Sequence, residues 1–301
     1  MKNSGEIFKR FRESRGLSLK DVANDNLSKS QLSRFENGQN DLTLNKFIMA
    51  LSAINVSINE FMYAVNDFHN DELSELLEII RNCTINNNIQ GLKNLLFDYS
   101  RRDKNSNKFH ELNTILIKIR LQVLSEEKLV LEKDLEKLID YLFSVEFWGV
   151  YELRLFLNSI DILEHNFFVT LSREMIRRSD YYKEIKANRS LINHMTLNAY
   201  IICIDRGYLT DAAYFGRQLK SFFFEESEMY ERVVYNYAHN YYLYKKFGSD
   251  QSIIEMRKCI GFMKAVGSDN IASHYSMHLN RILKKNKELQ KRDKIIGEVI
   301  K

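Results

Sequence analysis

Hydrophobic residues recur at helical spacing in five short segments over the first 65 residues, and polar turns separate the segments. The first segment covers residues 6–15, Ser18 begins the second and Ser28 begins the third. The last two segments cover residues 44–54 and 58–65. Serine before such a segment is a helix N-cap signal, because its hydroxyl accepts a hydrogen bond from the first turn. The pattern predicts five short helices, and the tight turn between the second and third predicts a helix-turn-helix.

The rest of the chain has longer helical patterns and an internal repeat. Asparagines in similar contexts recur every 40 to 45 residues, at Asn113, Asn158, Asn198, Asn240 and Asn280. Helical pairs with a period near 40 are typical of a tetratricopeptide-like or HEAT-like solenoid, in which one helix of each pair lines a concave surface. The alternative is coincidence in an asparagine-rich chain.

These patterns divide the chain into four predicted segments. Residues 1–66 form the helix-turn-helix domain, and residues 67–71 form a linker. Residues 72–285 form the helical repeat domain, with a regulatory, ligand-binding and dimerisation role. Residues 286–301 form a charged C-terminal helix or tail.

Composition makes the fold prediction sharper and leaves the partner open. The chain has no proline and only 11 glycines among 301 residues, so few positions interrupt helices, and we expect an all-α protein. The net charge is +4, from 44 basic and 40 acidic residues, which neither requires nor excludes a nucleic-acid partner.

Location and redox state follow from the N-terminus and the cysteines. The first residues are too charged for a signal peptide, and no apolar run approaches the roughly 20 residues that span a bilayer. Cys83, Cys203 and Cys259 lie far apart in apolar contexts. We therefore expect reduced thiols in a soluble, cytoplasmic protein without a membrane partner.

The third segment has the polar face that a DNA recognition helix needs. In a helix-turn-helix the second paired helix enters the major groove and its first residues contact base edges. Glutamine can pair with adenine, arginine or lysine with guanine, and serine with bases or phosphates. Leu32 and Phe35 are spaced to face inward. The predicted base-contacting residues are Lys29, Ser30, Gln31, Ser33 and Arg34.

Phosphate contacts are expected from the edges of this unit, where they orient the protein without specifying sequence. The predicted residues are Arg10, Arg15, Lys20, Asn37, Gln39 and Asn40. The alternative for all these positions is ordinary solvated helix surface. Glu36 has the wrong charge for DNA, so we expect it to pair with an arginine of the first helix and fix the angle between helices.

The segment from Phe8 to Phe61 resembles the XRE-type, lambda-repressor-like helix-turn-helix domain. The shared features are an arginine four residues before Gly16, the GLS start of the second helix, S-x-S-x-x-S-R-x-E-x-G and V-S-x-x-E-F. The resemblance implies that Arg12 pairs with Glu36 and belongs to the scaffold.

The whole chain is similar to the Rgg/GadR/MutR family of transcriptional regulators in size, domain order and the segment FWGVYELRLFLNSI at 147–160. The resemblance implies a cytosolic homodimer that binds double-stranded DNA at an inverted-repeat operator and responds to a short apolar signalling peptide. Some members carry a dimer-bridging cysteine in the fourth helix. Leu44, Asn45 and Lys46 stand there in this chain, so no redox-linked dimer is expected.

The repeat asparagines indicate a candidate peptide groove. Residues four apart share a helix face, and asparagine amides can both donate to and accept from an extended peptide backbone. Arg154 could hold a terminal carboxylate, and the resemblance also implies that it contacts peptide. Aromatic neighbours such as Tyr235 would supply side-chain pockets, although most aromatics at this spacing are core. The predicted peptide-binding residues are Arg154, Asn158, His194, Asn198, Tyr235, Asn236 and Asn240.

Other functions have less support. His274 and His278 have a zinc-ligand spacing, but no third ligand is evident, so exposed or capping histidines are expected and neither metal nor cofactor is predicted. No phosphate loop or nucleophile motif favours an enzyme. The alternatives are a regulator whose repeat domain only dimerises or binds a protein, and a scaffold that never contacts DNA.

Overall fold

In the computed structural model the described residues contain helices and turns but no β-strand. The predicted all-α fold is confirmed. The chain divides into two compact units, residues 1–95 and 96–301. The predicted linker 67–71 lies outside the described residues, and the proposed domain boundaries remain predictions. The described residues are 3–66, 72–101, 108–179, 184–221 and 226–299, without the side chains at 187, 221 and 285–299.

The first unit contains the five predicted short helices, followed by a longer one. Its helices are α1 (Ser4–Ser14), α2 (Leu19–Val22), α3 (Lys29–Glu36), α4 (Leu44–Ala53), α5 (Ile58–Val65) and α6 (Glu72–Ile85). Helix α7 (Ile89–Arg101) runs across the division between the units. The predicted order and spacing of the five short helices are therefore confirmed.

Local chemistry fixes where these helices begin and end. Ser18, Ser28 and Ser57 each form a capping box. The serine hydroxyl accepts from the backbone N–H of the third helical residue, and the side chain of that residue accepts from the backbone N–H of the serine. Gly16 and Gly38 adopt the left-handed conformation, each with φ of 68°, and end α1 and α3. Short helices that are closed at both ends in this way leave few unsatisfied backbone groups.

The core of the first unit joins α1, α3 and α5. Phe8, Leu32 and Phe61 are almost completely buried, and the ring centroids of Phe8 and Phe35 lie 5.9 Å apart. Gly5 allows the close crossing of α1 and α3, because a Cβ atom there would lie far inside contact distance of the Phe35 carbonyl. The angle of α3 is thus fixed by packing against α1.

The second unit is built from successive helices that pack against their neighbours. Helix α12 packs against α13 and α14, and α15 packs against α14 and α16. The helices are α8 (Lys108–Ser125), α9 (Glu132–Ser144), α10 (Val150–Leu157), α11 (His165–Arg178), α12 (Lys186–Asp205), α13 (Leu209–Ser221), α14 (Met229–Phe247), α15 (Asp250–Ala265) and α16 (Asp269–Val299). A 3-10 turn at Ile160–Ile162 lies between α10 and α11.

The repeat found in the sequence is a repeat of helix pairs. Its five asparagines fall on every second helix, α8, α10, α12, α14 and α16, with Asn158 as the residue that ends α10. Left-handed glycines follow α12, α14 and α15 at Gly207, Gly248 and Gly267. The predicted tetratricopeptide-like architecture is confirmed.

Two further expectations concern membranes and cysteines. Within the described residues no single helix is both long and apolar enough to cross a bilayer. Helices α4 and α5 reach that length and apolar composition only when taken together, and they are bent by 103° relative to each other. All three cysteines are free thiols. Cys203 is buried, and this burial raises the pKa of its thiol to about 12.

Candidate functional site

Helix α3 separates its polar and apolar residues as a recognition helix requires. Leu32 and Phe35 are buried against the core, whereas Lys29, Ser30 and Arg34 are exposed. The two remaining predicted base-contacting residues, Gln31 and Ser33, are half-buried. The exposed face therefore offers one arginine, one lysine and one serine directly to solvent.

Two intramolecular hydrogen bonds hold the side chain of Gln31. Its Oε1 accepts from the backbone N–H of Ser28, with 3.3 Å between the heavy atoms, and from Nζ of Lys46 on α4 at 3.1 Å. The Ser28 hydroxyl lies 3.1 Å from the Ser30 hydroxyl. The N-terminus of α3 is thus an ordered hydrogen-bonded cluster.

A buried ion pair joins α1 to the end of α3. Nε of Arg12 donates to one carboxylate oxygen of Glu36 at 2.6 Å, and Nη2 donates to the other at 2.7 Å. Nη1 of Arg12 donates to the Leu17 carbonyl at 2.6 Å. Both side chains are nearly inaccessible, at 7% and 3% exposure, and hydrogen bonding to Glu36 raises the pKa of Arg12 above its usual value. Two parallel bonds between planar groups fix orientation as well as distance.

The six residues predicted to contact phosphate all lie on the exposed surface of this unit. Arg15 places its guanidinium 5.4 Å from the ring centroid of Phe11 and donates to the Phe11 carbonyl. The Asn37 amide donates to the Ser33 carbonyl at 2.8 Å and so helps to end α3. The exposed residues are Arg10, Arg15, Lys20, Asn37, Gln39 and Asn40.

In the repeat unit, two of the predicted peptide-binding residues line one cavity. His194 and Asn198 of α12 meet Tyr230 of α14 and Tyr275 of α16 around a space of about 240 Å³. Nε2 of His194 lies 2.8 Å from a carboxylate oxygen of Glu231, whose side chain is only 9% exposed. The cavity wall therefore combines aromatic rings with the Asn198 amide and the His194 imidazole.

A second, smaller cavity contains Tyr235. It measures about 170 Å³, and its wall includes Tyr200, His239 and Tyr242. The rings of Tyr235 and His239 are parallel, with centroids 5.9 Å apart. Burial raises the pKa of Tyr235 and lowers the pKa of His239. Tyr235 thus lies at a different cavity from His194 and Asn198.

The remaining predicted peptide-binding residues lie outside both cavities. On α10 the Asn158 amide donates to the Arg154 carbonyl at 2.8 Å, and on α14 the Asn240 amide donates to the Asn236 carbonyl at 2.8 Å. Arg154, Asn158 and Asn240 are half-buried, and Asn236 is exposed. The predicted peptide-binding asparagines therefore do not share one groove surface: Asn198 lines the larger cavity, Asn158 ends α10, and the other two lie on α14.

Sequence reasoning missed a partly buried network that links three repeat helices. Asp205 at the end of α12 accepts from the Tyr241 hydroxyl of α14 at 2.7 Å, and Nε2 of His278 on α16 lies 3.2 Å from the same oxygen. Nδ1 of His278 lies 2.8 Å from the Tyr237 hydroxyl. The expectation that His278 is an exposed or capping residue is wrong, because only 9% of it is exposed. His274 is exposed, as expected.

The network also shifts the pKa of Asp205. Burial alone would raise the pKa of this carboxyl, but hydrogen bonds from His278 and Tyr241 lower it below its usual value. The described residues hold no group of three or more His, Cys, Asp or Glu side chains suited to a metal ion. The signal in the sequence was the helical spacing of Tyr237 and Tyr241, which alone does not show the partners.

Two family models match this chain. Residues 93–277, more than half of the chain, match the C-terminal domain of the HTH-type transcriptional regulator Rgg. The chain belongs to the Rgg family. Residues 8–61 match a helix-turn-helix model, and this match includes the whole of α3.

Solved structures share the fold of this chain. The SHP pheromone receptor Rgg2 of Streptococcus dysgalactiae is 28% identical, with 92% of this chain and 99% of that chain covered and a TM-score of 0.80. A candidate transcriptional regulator from Listeria monocytogenes EGD-e is 22% identical over 95% and 98% of the two chains, with a TM-score of 0.83. The PrgX/iCF10 complex shares the fold at 15% identity over 95% and 91%, with a TM-score of 0.75.

Family membership decides the broad class of function. The Rgg family consists of transcriptional regulators and not of enzymes. The chain is therefore a helix-turn-helix transcriptional regulator, in which the helix-turn-helix match at residues 8–61 precedes the Rgg match at residues 93–277.

Proposed function

We propose that this Rgg-family protein is a cytoplasmic homodimer that binds an inverted-repeat operator and changes its activity when a short apolar signalling peptide binds the repeat unit. The recognition helix α3 provides the DNA contact. The cavity lined by His194 and Asn198 provides the centre of the peptide site. Peptide and DNA are coupled through whichever arrangement of the dimer the peptide favours.

The main support for the DNA-binding part is the two-sided character of α3. Its inner side chains are in the core, its outer polar side chains are exposed, and the Arg12–Glu36 pair braces its C-terminal end. Lys29 and Arg34 then lie on the face that enters a major groove in helix-turn-helix proteins. In a symmetric dimer the half-sites are spaced by about one helical turn of DNA or a multiple of it.

The peptide-binding part is supported by the chemistry of the larger cavity and by the relative Rgg2, a pheromone receptor. Tyr230, Tyr275 and Val234 supply apolar walls, while Asn198 can donate to and accept from a peptide backbone. We propose that Arg154 and Asn158 on α10, with Asn236 and Asn240 on α14, contact the peptide outside this cavity.

Separate measurements of operator binding and peptide binding test the two parts of the proposal. The peptide probe is a fluorescently labelled apolar peptide encoded by a short reading frame beside the gene, and operator affinity is measured with and without it. Arg34→Ala is expected to lose operator binding and keep peptide binding, whereas Asn198→Ala is expected to do the reverse. Asn280→Ala is the matched control, because Asn280 is an exposed repeat asparagine on α16.

A second candidate is a repeat unit that contacts another protein and no peptide. Exposed large apolar side chains favour it, including Phe247, Phe262 and Met277 on the last three helices. Under that hypothesis no peptide changes operator affinity, and Asn198→Ala has no effect on output. Loss of both peptide and DNA binding in a folded Arg34→Ala or Asn198→Ala variant contradicts the two-part proposal.

A further inference from the structure

Lys46 is the only residue from outside α3 and its cap that contacts a predicted base-contacting side chain of α3 among the hydrogen bonds of the described residues. It lies on the third position of α4 and is half-buried. Its ammonium group donates to Oε1 of Gln31 at 3.1 Å. A residue of α4 therefore restricts the orientation of the Gln31 amide.

The hydrogen bonds already made by the Gln31 side chain limit which groups of its amide remain available to a ligand. Both neighbours of its Oε1, the Ser28 N–H and the Lys46 ammonium, can only donate, so the atom that faces them has to be the amide oxygen. An amide oxygen has two lone pairs, and these two donors use both. Among the described residues Nε2 of Gln31 donates no hydrogen bond, so its two N–H bonds are available to a ligand and the amide can act only as a donor.

This state of Gln31 differs from the one assumed for a glutamine that recognises adenine. Bidentate pairing with adenine requires the amide to donate to N7 and to accept from the N6 amino group. Guanine offers N7 and O6 as acceptors, and thymine offers O4. A donor-only amide matches those acceptor edges and does not complete the adenine pair.

We propose that Lys46 is a specificity-determining residue, which holds Gln31 as a hydrogen-bond donor and so directs it to a guanine or thymine acceptor edge and away from adenine. This inference rests on the proposed binding of DNA through α3. Lys46 acts through Gln31, and its role is separate from a phosphate contact, which would add affinity equally for every sequence.

The test compares the full-length wild-type protein with Lys46→Met, Lys46→Arg, Gln31→Ala and Lys20→Met. The probe is double-stranded DNA enriched by the wild-type protein from a random library, together with its single-base variants, at one fixed salt concentration. Lys46→Met keeps most of the apolar stem but removes the donor and the charge. Lys20→Met is the matched control for charge, because Lys20 is an exposed lysine on α2 of the same unit.

Gln31→Ala is expected to flatten the base preference at one position in each half-site. Lys46→Met is expected to shift the preference at that same position toward adenine by roughly 10-fold, since it frees one lone pair of the amide oxygen. Lys46→Arg retains a cationic donor and is expected to keep the wild-type preference. Lys20→Met is expected to weaken binding to all sequences alike.

Three results overturn the inference. If Lys46→Met weakens all sites uniformly, as Lys20→Met does, Lys46 is a phosphate contact and nothing more. If Gln31→Ala leaves the preference unchanged, Gln31 does not contact a base. If the wild-type protein enriches no sequence, the proposed DNA-binding function fails as well, and this result is distinct from the first two.

Discussion

Removal of Arg12 is expected to unfold the first unit at much lower denaturant concentration while the repeat unit keeps its stability. Arg12 supplies both hydrogen bonds to Glu36, at 2.6 and 2.7 Å, and the Glu36 side chain is only 3% exposed. Arg12→Met therefore leaves a buried carboxylate without its partner. Breaking a buried pair from one side costs about 3–5 kcal/mol, a large part of the total stability of a small domain.

The double variant Arg12→Met, Glu36→Leu provides the critical comparison. It removes both charges, so no buried ion is left unpaired, and apolar replacements of buried pairs are commonly neutral or stabilising by about 1–4 kcal/mol. We therefore expect the double variant to recover most of the stability that Arg12→Met loses. The coupling between the two sites is then several kcal/mol, which is large because their atoms are in direct contact.

The assay can separate the two units because the chain has a single tryptophan, Trp148, which is buried in the repeat unit. Urea unfolding followed by tryptophan fluorescence reports the repeat unit, and amide hydrogen exchange of α1 and α3 reports the first unit. Arg12→Met is expected to change the hydrogen exchange of α1 and α3 and to leave the unfolding followed by tryptophan fluorescence unchanged. A loss below about 1 kcal/mol, or a double variant no better than the single one, would refute the argument from the buried pair.

Three other variants test packing, capping and charge. Gly5→Ala places a Cβ atom against the Phe35 carbonyl, so we expect α1 and α3 to separate, with about 1–3 kcal/mol lost by hydrogen exchange and weaker operator binding. Arg178→Ala removes the guanidinium that donates to three carbonyls at the end of α9. We expect a red-shifted tryptophan emission and a loss of about 2–3 kcal/mol in the free energy of unfolding. Arg177→Ala is the exposed control and is expected to change this free energy by less than about 0.5 kcal/mol. Asp205 has a lowered pKa, so its stabilisation is present above the unfolded-state pKa of about 4 and is lost as pH falls. Because solvent screens this partly exposed carboxylate, Asp205→Asn is expected to cost only about 1 kcal/mol at pH 7, and little at pH 3, in fluorescence-monitored unfolding.

The boundaries of the five short helices could be predicted because their signals are local. A serine N-cap with its N3 partner, or a left-handed glycine after the last turn, acts within four residues and needs no information about the rest of the chain. The role of Gly5 could not be predicted in this way. Its constraint comes from the Phe35 carbonyl, 30 residues away in sequence, and only the crossing of α1 and α3 brings the two together.

The partly buried network in the repeat unit escaped prediction for a similar reason. Asp205 and His278 are 73 residues apart, and neither has a neighbour in sequence that marks it as a member of a hydrogen-bonded pair. Tyrosines at helical spacing indicated a core, and this was correct for Tyr237 and Tyr241. Their hydroxyl partners are set by the way α12, α14 and α16 pack, which the spacing within one helix does not contain.

The repeat asparagines show how a correct pattern can carry different chemistry at each position. Asn113 is buried between the hydroxyls of Tyr99 and Tyr151, where its amide both donates and accepts inside the core. Asn158 uses its amide to end α10, and only Asn198 lines the larger cavity. Because the period follows from the length of a helix pair, it marks equivalent positions in the architecture. Whether such a position contacts ligand depends on what packs over it, so Asn198→Ala is expected to impair peptide binding whereas Asn113→Ala is expected to destabilise the fold.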